Sequence, residues 1–198
     1  MKTKFIAFIG LLFIVHTSFA QRMEYRKIGL DSLIVITPIV DAAKRDNNDS
    51  NAFNAELSSK ISKMLFAVIR EKLPHTRYQQ VSHLETLSQK EYINITHNYL
   101  AWASSKKAKK FFDAPASLIQ PSGRYTLHIA FSGYFGPSSD NGIFGNLFIL
   151  DNEMKKIIYC DRLSRSFTEI TDQKAVSKAT IALIDRYLAY KAIQPNQP

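Results

Sequence analysis

The chain is short of the residues that staple, ligate or punctuate. One of its 198 residues is cysteine, so no intramolecular disulfide can form and stability has to come from packing. That residue, Cys160, sits in a strand-like run (KKIIYCDRL) and is expected to act as a small buried hydrophobe. An intermolecular bridge or a reactive thiol is the alternative. Seven glycines and seven prolines leave no low-complexity linker, and no internal repeat is visible. Long apolar runs are missing too. The longest, Phe5 to Val15 (FIAFIGLLFIV), falls well short of the roughly 20 residues that a membrane-spanning helix needs.

Motifs for chemistry are equally scarce. Beyond the first twenty residues the histidines are His75, His83, His97 and His128, and none belongs to H-E-x-x-H or another metal-ligand spacing. His83 and His97 are too far apart to share a metal on one straight helix. There is no G-x-S-x-G elbow, no phosphate-binding loop and no G-x-G-x-x-G. Gly133, Gly136, Gly142 and Gly145 surround a hairpin turn, where their backbone freedom has an ordinary use. No catalytic, cofactor or metal residue is therefore predicted, and no cofactor is expected. A dyad of Cys160 with a distant histidine would need a fold to bring it together.

What is present is first of all a leader. Lys2 and Lys4 precede the apolar run, His16 to Ser18 turn polar, and Ser18-Phe19-Ala20 places small residues where signal peptidase requires them. The reading is a signal peptide over residues 1–20, cleaved after Ala20, with a periplasmic or secreted product. An uncleaved N-terminal anchor is the alternative. A lipid-anchored product would carry cysteine at the cleavage point, and Gln21 stands there.

The formal charge is +9, and it stays strongly positive when the two leader lysines are removed. Such a balance draws anionic partners, here acidic lipid or polyanionic glycan, and also keeps a protein soluble. Export argues against nucleic acid. One local cluster stands out in YLAWASSKKAKKFF: Lys106, Lys107, Lys109 and Lys110 beside Trp102, Phe111 and Phe112. Trp102 with the four lysines is the candidate anionic-surface site. A solvated helix face with its aromatics in the core is the competing account.

The rest reads as elements of one domain, 21–198, with room for a helical insertion near 84–120. Leu33 to Val40 (LIVITPIV) is a short apolar run suited to a strand buried on both faces. Pro38, having no N–H, should stop the regular ladder. Residues 41–51 (DAAKRDNNDSN) read as a polar loop offering Asp49, Ser50 and Asn51 as helix caps. A helix follows over about 52–73, with Phe53, Leu57, Ile61, Met64, Leu65 and Val68 on one face and Pro74 ending it. Arg77 to Val81 is a short strand, and Ser82 to Glu85 fits a capping box for a second helix. Tyr125 to Ser132 alternates at strand period, Ile143 to Leu150 and Lys156 to Leu163 return, and a last helix runs from Gln173 to about Tyr190, capped by Thr171 or Asp172.

The predicted fold is α+β, a mixed or antiparallel sheet with helices packed on it, in the order β-α-β-α-β-β-β-α. LIVITPIVDA, the long helix after it and the succession GRYTLHIAFSGYFG … GNLFILDNEMKKIIYCDRL resemble bacterial envelope domains of the TolB N-terminal, CsgG and LpoB type. That resemblance implies an adaptor or assembly role without catalysis, and no functional residue transfers with it. The expected function is an exported binding module of the bacterial envelope, its partner an envelope protein or an anionic envelope component. A secreted hydrolase without a recognisable motif and an anionic-surface binder are the rivals.

Overall fold

The computed structural model describes residues 28–45, 51–80, 112–120, 122–135, 141–167 and 173–192. Among the described residues eight strands form one mixed sheet: β1 (Leu33–Ile36), β2 (Ile39–Arg45), β3 (Asn51–Phe53), β4 (Arg77–Gln79), β5 (Phe112–Asp113), β6 (Tyr125–Phe135), β7 (Asn141–Asp151) and β8 (Lys156–Phe167). Among the described residues the α-helices are α1 (Ala55–Lys72) and α2 (Gln173–Ala192). The strand order is β3-β2-β6-β7-β8-β5, with β1 lying between β4 and β6. The α+β class and the packing of helices on a sheet follow the sequence reading.

β6 organises the sheet. Its first half pairs in parallel with β1, its second half in parallel with β2, and its other edge pairs antiparallel with β7. β7 and β8 complete the meander that the alternation and short turns predict. The turn after β7 is held by Asp151, fully buried, whose Oδ1 accepts the N–H groups of Glu153 and Met154 at 3.1 and 3.0 Å. Arg124 donates to its other oxygen from Nε and Nη2, each at 3.2 Å.

Both faces of the sheet are covered. On one, Leu127, Ile129 and Phe131 of β6 and Ile143, Leu147 and Ile149 of β7 meet α1 through Ile61, Leu65 and Ile69. They meet α2 through Val176, Ala179, Leu183, Ile184 and Tyr187. Gly145 lets α2 come close: a Cβ there would lie 3.0 Å from Phe131 Cζ and 3.1 Å from Leu183 Cδ1. Its role is close approach; no described glycine has a positive φ. The other face carries Ile34, Ile36, Ile39, Ala130, Phe148, Leu150 and Ile157 under Leu118. β1 is buried on both sides, as its unbroken apolar run predicts.

Several boundaries differ from the sequence reading. Residues 41–45 are not loop but the continuation of β2, and residues 51–53 return as β3. Polar composition suggests a loop, yet the backbone finds β6 on one side and β3 on the other, so its hydrogen bonds are met within the sheet. The cap of α1 is consequently Asn54, not Asp49, Ser50 or Asn51. Its Oδ1 accepts the Leu57 N–H at 2.9 Å, and its own N–H donates to Ala42 O at 2.8 Å. Phe53 is thereby removed from the helical face and stands half-exposed on β3. Asn54→Ala is expected to cost about 1 kcal/mol, read as a fall in Tm of roughly 3 °C.

The predicted capping box at Ser82, the second helix, the insertion near 84–120 up to its β5 end, and the caps Thr171 and Asp172 lie outside the described residues.

Candidate functional site

The site begins at a proline. From Val35 to Ile39 the chain takes four steps, while its partner β6 takes three, from Leu127 to Ala130. Thr37 and Pro38 absorb the extra residue as a bulge, and Pro38 has no N–H to offer the ladder. The strand's outer edge changes neighbour at the same point. β4 accompanies it as far as Ile36, and β3 takes over only at Ala43. Between these two the edge has no strand beside it among the described residues.

α1 fills part of that gap with side chains. Ser62 Oγ donates to Pro38 O at 3.1 Å, and Ser58 Oγ accepts the Ala42 N–H at 3.0 Å. The two serines, one helical turn apart, stand in for a missing strand. Val40 lies between Pro38 and Ala42, and alternation turns its N–H and C=O to the same side. No described side chain bonds them.

Here a cavity of about 570 Å³ opens between α1 and the β1–β2 junction. Pro38, Ile39 and Val40 form its inner wall, Phe53 and Phe66 its two apolar ends, and Ser59 and Lys63 its rim. Phe53 is 50% exposed, one of two large hydrophobic side chains so placed among the described residues. Phe66 is held firmly. Its ring meets Tyr78 edge-on at 5.4 Å, and Tyr78 in turn donates its hydroxyl to Leu73 O at 2.7 Å. The Arg70 guanidinium lies 5.7 Å from the centre of the Phe66 ring. Asp41, pointing to the same face as Ile39, is half-buried, and burial raises its carboxyl above the usual range.

The residues with chemical potential elsewhere do not converge. His128 is buried against the second face of the sheet, stacked on Phe148 at 4.9 Å, its Nε2 3.0 Å from Thr126 Oγ1. Burial pushes its pKa down to about 3, so at neutral pH it is an uncharged interlayer ring. Cys160 lies beside Phe148 on the next strand, and burial pushes its thiol up to about 12. It is a thiol, not a thiolate, and a poor nucleophile. His75 is exposed. Among the described residues no three His, Cys, Asp or Glu side chains gather into a metal site, and no helix is long and apolar enough to cross a membrane. Trp102, Lys106, Lys107, Lys109 and Lys110 lie outside the described residues, as do His83 and His97. The groove was not anticipated. Only Pro38, inside an apolar β-branched run, pointed to it.

No family model matches the chain, and no curated protein matches it. Solved structures similar to it include the PelC dodecamer from Paraburkholderia phytofirmans, at 7% identity and a TM-score of 0.42, covering 84% of this chain and 92% of that one. The lipoprotein GNA1162 from Neisseria meningitidis is similar at 9% identity and 0.39, over 79% and 96% of the two chains. The LpoB C-terminal domain from Salmonella enterica, a type named above on the order of elements, stands among them at 9% identity and 0.37, over 71% and 87%.

Proposed function

We propose that this protein is an exported, non-catalytic binding module of the bacterial envelope, and that it docks a partner in the groove between α1 and the β1–β2 junction. The observation that carries the reading is the groove itself. A half-exposed phenylalanine, an exposed lysine and a stretch of sheet edge with no strand beside it among the described residues meet in one concavity. Exposed aromatic anchors beside unfilled space favour association with another molecule. Export rests on the leader sequence. The Lys106–Lys110 cluster with Trp102 belongs to the proposal as an auxiliary attraction toward anionic envelope components, on charge alone.

The test is photocrosslinking in producing cells. A benzoylphenylalanine at position 59, on the rim, is expected to give a discrete adduct that disappears when Phe53→Ser is added. The same group at position 178, on exposed α2 surface, is expected to give none. Mass spectrometry of the product should find Gln21 at the N-terminus. A protein that keeps its leader, or equal adducts from positions 59 and 178, would contradict the reading.

A further inference from the structure

We infer that the occupant of this groove is an extended peptide segment carrying an apolar side chain next to an acidic one. The inference rests on the docking role proposed above and concerns what the groove recognises.

Three features select the chemistry. The first is the backbone of Val40, which presents a donor and an acceptor together where, among the described residues, the edge has no strand beside it, flanked by positions that Ser58 and Ser62 already serve. A peptide unit has the complementary acceptor and donor, and pairing with an open sheet edge is a recurrent way to bind extended chains. An acyl chain would cover the same two groups and satisfy neither, and leaving buried polar groups unpaired is costly. The second is the pair of apolar ends. Phe53 is open to solvent, whereas Phe66 is locked by Tyr78 and Arg70, so the groove offers a preformed wall at one end and a free ring at the other. Between them lies space for an aliphatic or aromatic side chain. The third is charge. Lys63 and Ser59 are exposed on the rim with no described partner, one a cation and the other a hydroxyl donor. They complement a carboxylate. The volume suits a few residues rather than a whole helix.

Random linear heptapeptides displayed on phage and selected on the purified protein test this directly. Enriched sequences should share an apolar residue beside Asp or Glu. A synthetic peptide of that sequence should bind Ser59→Arg, which fills the groove from an exposed helical position, at least about tenfold more weakly. Lys63→Glu should weaken it similarly, and Lys60→Glu, on the same helix but off the groove, should leave affinity within about twofold. Circular dichroism establishes that the variants fold; if Ser59→Arg does not, the Lys63→Glu and Lys60→Glu comparison decides alone. An unenriched library, enriched peptides indifferent to Ser59→Arg and Lys63→Glu, or laurate binding that depends on Lys63 where no peptide is enriched would each overturn the inference. The selection uses no envelope, so its failure leaves the crosslinking result standing, and a failure of crosslinking in cells leaves the selection readable.

Discussion

Leu65→Ala is expected to lower the unfolding free energy by about 3 kcal/mol, within the range of roughly 2–5 for emptying a large aliphatic position in a packed core. Leu65 is fully buried on α1, in the layer that joins the helix to the sheet and to α2. A sheet-and-helix layer of this kind cannot collapse into the space without moving α1 as a whole, so the cavity term persists. The measurement is urea unfolding, with a thermal midpoint lowered by about 10 °C. Ala67→Ser, on the exposed side of the same helix, serves as the control and should change stability by less than about 0.5 kcal/mol. A loss of under about 1 kcal/mol for Leu65→Ala would mean that α1 is not anchored as described. The groove would then lose its rigid wall, because Ser58, Ser59 and Ser62 share that helix.

Acidification is expected to destabilise the protein through His128. In an unfolded chain a histidine takes up its proton near pH 6.5. In the fold, burial holds the same event down to about 3. Between those values the unfolded state binds more protons than the native state, so stability falls as pH falls, by up to about 1.4 kcal/mol per pH unit for one proton. Above pH 6.5 the contribution is fully present. Asp41 acts in the opposite sense: its carboxyl is raised in the fold, so its protonation favours the native state at the acid end. The clean window is therefore pH 6.5 to 5. His128→Phe keeps a planar ring against Phe148 and removes the titration. It should flatten the slope of unfolding free energy against pH in that window, whatever its effect at pH 7. Equal slopes for the two proteins would refute the buried neutral histidine.

His128 also shows what strand alternation leaves open: its phase allows a surface or an interlayer histidine, and the structure makes it interlayer. It occupies the polar phase of Tyr125 to Ser132, and Thr126, beside it in that phase, is buried too. Period-two patterning says which residues share a face; it does not say whether the polar face meets water or another layer. Cys160 is legible as a small strand residue because its strand is legible, but the structure leaves it partly buried at the margin of the second face rather than inside it. The end of β2 is not legible. DAAKR has no strand signal of its own, and only pairing with β6 and β3 makes it one, which moves the helix start to Asn54 and puts Phe53 at the groove. A hairpin between two polar segments depends on partners remote in sequence, and local composition does not encode them.

Taken alone, the amino-acid sequence determined what depends on neighbours along the chain: a helix ended by Pro74, a meander of three strands, a final amphipathic helix, and a ladder interrupted at Pro38. The tertiary structure decided what depends on which elements meet. It set β1 and β2 as two halves of one bulged strand against β6, and handed the outer edge from β4 to β3. It brought the serines of α1 to the stretch between them that no described strand covers. The reason is physical: backbone hydrogen bonds at a sheet edge are satisfied by whatever the fold brings alongside, so a gap in that edge, and the groove beside it, exist only once the chain is packed.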